Sequence, residues 1–230
     1  AFFSLSLGMG ALITYGSYLD DKDEIPANAA WVCGLDTAVA LLAGFALFPA
    51  IFALGFEPGA GPGLAFITLP AVFAQMPMGI VFGVLFFFLL FIAALTSAIS
   101  LLEVVTAWLI DEKGWSRKKA SMSMGLLIFI VGLPATLGYS LLKGFSFPGL
   151  HTDLLDTYDW FANSLFLPIG GFFIALFTGY AWGIQHAVHE ANKGHQTIRV
   201  GKWWVLLIRF AVPVLILFIL AVGLYDTFVK

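Results

Sequence analysis

A chain of 230 residues that is 60% hydrophobic and only 11% charged cannot cover a water-soluble domain, which carries about 25% charge. Its solvent is lipid. The net charge of −3 is small and by itself says nothing about nucleic acid, but the chain has no basic stripe of the kind a phosphate backbone needs, so no nucleic-acid partner is expected; the single Cys33 excludes a disulfide framework within the chain and fits a zinc site poorly.

The chain opens without Met and without a basic leader, so its first residues are not a signal peptide. Ala1-Phe2-Phe3 lies inside an apolar run, which reads as a cut within a helix with residues missing upstream. A spanning helix needs about 20 apolar residues. Ala1–Leu19 is just long enough, but Gly8 and Gly10, with Ser4 and Ser6 beside them, predict a break, because an interior glycine weakens a helix by about 1 kcal/mol. A packing face for a neighbouring helix is the other reading of these glycines. After the charged loop Asp20–Pro26 come five full runs, roughly Ala27–Phe56, Ile80–Ile110, Ala120–Leu142, Tyr158–His186 and Trp203–Val229. Between the first two, Glu57–Gly79 carries Pro58, Pro62, Pro70 and Pro77 around the apolar Leu64–Leu69, and reads as a folded or re-entrant cap. Asp111–Lys119 is charged, Lys143–Thr157 is aromatic and turn-rich, and Ala187–Lys202 is polar.

Positive charge orients these loops. With Asp20–Pro26 in the cytoplasm, that side holds Lys22, Lys113, Arg117, Lys118, Lys119, Lys193, Arg199 and Lys202, against Lys143 and Lys230 opposite. The long cap is then extracellular. Arg209 lies in a span near its cytoplasmic end and reads as a snorkelling anchor.

Polar groups inside spans single out the functional candidates. An intramembrane carboxylate costs several kcal/mol unless it has a partner or water. Asp36, near the middle of its run, and Glu103 are such groups, with a role in function and a structural tie both open. Ala93-Ala94-Leu95-Thr96-Ser97 can offer a hard cation a carbonyl and two hydroxyls from one turn; backward hydrogen bonding or close helix packing is the plainer account. An unwound Ser4–Gly10 turn would free backbone groups at membrane depth, tolerable only where they line a cavity, and such breaks mark the sites of secondary transporters. His186, His189 and His195 do not follow the zincin order and read as loop residues. No Asp/Glu/His constellation of a membrane enzyme occurs within a span.

Taken together, Ala1–Tyr18, Leu89–Ala98 and Phe66-Ile-Thr-Leu-Pro70 resemble the neurotransmitter:sodium symporter family. They look like its broken sixth helix, its eighth helix and its extracellular cap. A bacterial prototype of this family is itself a type case for a site at a broken helix. The resemblance runs along essentially the whole chain, in the pattern of the bacterial hydrophobic-amino-acid symporters. It implies an all-α polytopic fold: the second inverted repeat of the five-plus-five transporter fold, its first helix truncated, plus one extra helix. Residues 1–230 would form a single membrane-domain fragment, sited in the cell's inner membrane and incomplete without the N-terminal helices.

The implied activity is sodium-coupled symport of large hydrophobic amino acids by alternating access, with no enzymatic reaction. A non-transporting regulatory or channel-like relative is the alternative. Of the two implied sodium sites, Ser4 and Asp36 belong to the first, and the Ala93 carbonyl with the Thr96 and Ser97 hydroxyls to the second. Phe3 would lid the substrate, and Ser6, Met9, Gly10, Ser97 and Leu101 would line its pocket. Tyr18 and Asp111 would belong to the inner gate, and Asp159 would be the acidic half of the outer gate. Many relatives have Asn where this chain has Asp36, whose fixed charge implies independence of chloride. Met9 stands where the prototype has a bulkier Phe, and a flexible thioether adapts to different shapes.

Overall fold

The computed structural model describes residues 4–58, 61–138, 140–142, 144–145, 153–194 and 197–228. Among these, regular structure is helical throughout: α1 (Ala11–Gly16), α2 (Ile25–Ala53), α3 (Gly61–Gln75), α4 (Gly79–Lys113), α5 (Arg117–Leu137), α6 (Leu154–Ala181), α7 (Ile184–Ala191) and α8 (Lys202–Phe228). Of the described helices, α2, α4, α5, α6 and α8 are long and apolar enough to cross a bilayer. They are helices because lipid offers no partner to a backbone amide, so each must be satisfied within its own segment. At 35 residues, α4 is roughly 50 Å long, more than the ~30 Å hydrocarbon core. Its charges, Glu103 and Asp111-Glu112-Lys113, all fall in the last third.

Several boundaries differ from the sequence reading, each for a local reason. Among its described residues the first run holds only the six-residue α1, preceded by the expected break. The cap is mostly the helix α3. The fourth full run begins at Leu154 instead of Tyr158, because Asp153 caps it, its carboxylate accepting from the Asp156 amide at 2.8 Å. That run also stops short of His186: Gly183, at φ 96°, turns the chain between α6 and the separate α7.

Prolines explain most of the irregularity inside the helices. Wider, π-helical turns occupy Leu64–Thr68 in α3, Phe161–Phe166 in α6 and Leu207–Ala211 in α8. Pro70, Pro168 and Pro213 follow them, each two residues later. A proline ring removes one amide donor and collides with the carbonyl four residues back. The wider turn takes up that collision. Pro213 leaves the Arg209 carbonyl without its usual partner, and the Tyr180 hydroxyl donates to it at 3.0 Å. A fourth π-helical turn, Phe177–Ala181, lies opposite; there Arg209 Nε donates to the Gly179 carbonyl at 3.1 Å. Arg209 thus ties α8 to α6, a role beyond the anchor read from the sequence.

The chain divides into two compact units, residues 1–32 with 101–230, and residues 33–100, with the boundaries inside α2 and α4. In the smaller unit, Ile51 near the end of α2 packs with Leu69, Val72 and Phe73 of α3. Phe73 and Phe86 pack at 5.6 Å between ring centroids, and Phe86 meets Phe87 edge-on at 5.3 Å. Gly79 lets α4 start directly against the Phe73 carbonyl, where a side chain would overlap it.

In the larger unit, Trp160 of α6 donates to Thr227 of α8 at 2.8 Å and meets Phe228 edge-on. At the end read as cytoplasmic, Glu24 accepts from the Thr197 amide at 2.9 Å and its hydroxyl at 3.2 Å. Asn192 closes its own loop through paired bonds to the Val200 backbone, both 2.9 Å. Glu190, 2.6 Å from Lys193, holds that ammonium's pKa above its usual value. Close by in sequence to Asp20, the Tyr18 hydroxyl donates to Glu103 at 2.8 Å, and the other Glu103 oxygen pairs with Arg117 at 2.6 Å. The tie read for Glu103 is therefore present, and it joins the ends of α1, α4 and α5. These contacts bring the three loops read as cytoplasmic to one end of this unit.

Two outcomes are expected. In the full-length protein, Gly79→Ala crowds backbone that cannot swing aside, and overpacking of this kind costs about 1–3 kcal/mol; thermal unfolding in detergent should shift downward by several degrees, and an unchanged midpoint would show that the α3–α4 junction has slack. Tyr18→Phe deletes only the hydroxyl that Glu103 accepts from. Amide hydrogen exchange over residues 15–20 should rise while the global midpoint stays within a degree or so of wild type.

Candidate functional site

The helical break is built by conformation and by close contact. Ser4–Gly10 forms consecutive turns, with Ser6 at φ 53° and Gly8 and Gly10 both at φ 83°. A left-handed serine is uncommon and strained; the two glycines hold that region freely. The segment fits against its neighbours through missing side chains. A Cβ on Gly8 would overlap the Leu167 carbonyl and come within 3.0 Å of the Gly171 amide, and one on Gly170 would overlap the Gly8 carbonyl. A Cβ on Gly10 would meet Val104 of α4 at ordinary contact distance, and Ala11, which opens α1, is 1% exposed. Both readings of the glycines hold: they break the helix and they form a packing face.

A second set of oxygens lies on one turn of α4. The Thr96 hydroxyl donates to the Ala93 carbonyl at 2.9 Å, and the Thr96 carbonyl accepts from Ser100 at 3.0 Å. Ala93, Thr96 and Ser97 are all exposed. The back-bonded hydroxyl of the plainer reading is what this turn shows, and that bond places two oxygens side by side with lone pairs left to offer a cation. Asp36 sits half-buried within α2, next to Thr37, whose hydroxyl donates to the Cys33 carbonyl at 2.9 Å.

The remaining candidates are spread along the larger unit. Ser4 is exposed, while Ser6, Met9 and Gly10 are half-buried in the unwound segment, and Leu101 on α4 is 45% exposed. Tyr18 meets Glu103, and Asp111 is exposed two turns further along α4. Asp159 accepts from Asn163 at 2.6 Å, one turn ahead within the π-helical part of α6. Phe3 and His195 lie outside the described residues. His186 Nδ1 lies 3.1 Å from the Trp182 carbonyl, and no metal-binding grouping of His, Cys, Asp and Glu occurs among the described residues. The sequence singled out Glu103 without Tyr18 as its partner, and it did not single out Gly170 as the seat of Gly8. The available signal for the second was the pair Gly170-Gly171 inside an apolar helix.

Known proteins resemble this chain in sequence and in fold. The profile of the sodium:neurotransmitter symporter family matches residues 1–228. A Bacillus subtilis protein described as an uncharacterized sodium-dependent transporter, YhdH, is 37% identical over 98% of this chain and 50% of its own length. A Haemophilus influenzae protein described in the same terms is 35% identical over 97% of this chain and 48% of its own. The crystal structure of MhsT in complex with L-phenylalanine superposes with a TM-score of 0.86 at 44% identity, over 96% of this chain and 50% of that one. The chain therefore spans about half the length of the relatives it matches. The all-α, polytopic membrane fold is the one expected from the sequence, and the chain belongs to the sodium:neurotransmitter symporter family.

Proposed function

We propose that this chain is the half of a sodium-coupled amino-acid symporter that carries the broken sixth helix, acting as one membrane domain with the helices that make up the other half of its relatives. The observation that carries this reading is the Ser4–Gly10 segment, left-handed at Ser6, Gly8 and Gly10 within an apolar chain. Unwound backbone presents amides and carbonyls that lipid cannot satisfy, so at membrane depth it has to be given partners. An amino acid and sodium ions have the complementary charges and donors.

In this reading the protein spans the inner membrane several times and moves large apolar amino acids by alternating access. MhsT's complex with L-phenylalanine supports that substrate class. Ser4 and Asp36 bind the first sodium; the Ala93 carbonyl with Thr96 and Ser97 binds the second. The Thr96–Ala93 bond favours this, because it holds two of the second set's oxygens together before an ion arrives. Phe3 lids the substrate, and Ser6, Met9, Gly10, Ser97 and Leu101 line its pocket. Tyr18 and Asp111 serve the inner gate, and Asp159 the outer one.

The test is uptake of radiolabelled leucine and tryptophan by the full-length protein in sodium against potassium. Uptake driven only by sodium is expected; equal uptake in potassium would remove the coupling. Thr96→Val with Ser97→Ala removes two hydroxyl ligands and little volume. The pair should abolish sodium-dependent uptake with near-normal amounts in the membrane, and an unchanged half-saturating sodium concentration would remove this turn from the ion path.

The Asp36 carboxylate offsets the positive charge of the ions, because charges attract far more strongly at low local dielectric than in water. Wild-type uptake should therefore be the same in gluconate as in chloride. Asp36→Asn should be slow, or recover when chloride is supplied. A wild type that needs chloride would leave Asp36 as an ion ligand or a structural tie only.

A further inference from the structure

Gly170 stands where a side chain has no room. It lies in α6 two residues after Pro168, against the carbonyl of Gly8, and a Cβ there would also come within 3.1 Å of the Gly8 carbonyl carbon. Gly8 is seated reciprocally on the Leu167 carbonyl and the Gly171 amide. All of these are backbone atoms, which cannot swing aside as the end of a side chain does. Two residues on, Gly10 meets the second neighbour: a Cβ there would stand 3.6 Å from Val104 Cγ1 of α4. The segment is thus held by the backbone of α6 at Gly8, and at Gly10 it faces Val104 of α4 across the space a side chain would fill. Met9 lies between the two contacts, and Ser6 lies just before them.

We propose that Gly170 and Val104 are positioning residues that set where the Ser6–Gly10 backbone stands, and through it the size preference of the substrate pocket. Neither belongs to the set assigned to touch substrate. The inference rests on the reading of Ser6 and Met9 as pocket residues. Met9 adapts by rotating its side chain, but its Cα goes where Gly8 and Gly10 hold it. An alanine at 170 has to displace the segment by on the order of 1 Å to restore ordinary van der Waals separation. A shift of that size at a binding site can change rates by as much as about 100-fold, and a bulky side chain feels it more than a small one in a close-packed pocket. Val104→Ala acts in the opposite sense, removing methyl groups beside Gly10 and adding nothing.

The experiment compares initial rates of sodium-driven tryptophan and leucine uptake by the full-length protein in membrane vesicles. The variants are Gly170→Ala, Val104→Ala and, as control, Gly223→Ala, where an added Cβ meets nothing within 4 Å. The tryptophan-to-leucine ratio should change by about tenfold or more in Gly170→Ala and by roughly threefold in Val104→Ala, a smaller perturbation, with the control at the wild-type ratio. A fall of both substrates in equal proportion in Gly170→Ala makes the contact a folding contact and overturns the proposal. Should Gly170→Ala not reach the membrane, Val104→Ala decides alone, and a wild-type ratio there overturns it. Wild-type protein without sodium-driven uptake of either amino acid would sink the symport reading and this one with it. Intact uptake with unchanged ratios sinks this one only.

Discussion

A backbone amide or carbonyl in lipid has to find its partner inside the protein, and this constraint governs the apolar helices and the irregular turns within them. The long helices satisfy it along their own length. The Ser4–Gly10 segment leaves the helix with left-handed residues at Ser6, Gly8 and Gly10, and it meets α6 backbone to backbone. A non-helical segment pressed against a neighbouring helix without intervening side chains is held in place by backbone that cannot swing aside. That firm seating is why it stands at the centre of the proposed site.

The prolines show the same constraint met without a ligand. Pro70, Pro168 and Pro213 each follow a π-helical turn that contains the carbonyl they would otherwise strike. In α8 the carbonyl left over is at Arg209, and Tyr180 donates to it, while the guanidinium of the same residue donates to Gly179 across the interface. Two irregular stretches thereby become a tie between α6 and α8. Pro168 also stands just ahead of Gly170, so the same helix carries an irregular turn and the close seat of Gly8 within a short distance.

The polar side chains divide by the company they keep. Glu103 is 15% exposed, pairs with Arg117 and accepts from Tyr18: its charge is compensated within the chain, and its effect is to hold helix ends together. Among the described residues, Thr96 hydrogen-bonds to Ala93 and Ser100 of its own helix, and its turn is exposed. Glu24 accepts from the amide and hydroxyl of Thr197, Asn192 accepts from the Val200 amide, and both shape the end read as cytoplasmic. Engaged carboxylates and amides build the scaffold, and the groups proposed to bind ions are those whose oxygens still have capacity.

How much of this was legible in the sequence depends on the range of each interaction. The spans, the break at Gly8 and Gly10, the oxygen-bearing turn at Ala93–Ser97 and the family pattern are local, written in runs and spacings of a few residues. Helix ends were less legible where a single side chain decides them, as Asp153 does for α6, or where one glycine turns the chain, as Gly183 does. The tertiary structure alone decided that Gly170 seats Gly8, that Tyr18 reaches Glu103 across 85 positions, and that Arg209 bridges two helices. The reason is physical. In water, the boundary between apolar and polar faces of a helix marks which side packs. In lipid, the face toward a neighbouring helix and the face toward acyl chains are both apolar, so the sequence of a span records that it is buried in the membrane and leaves its neighbours to be settled by packing.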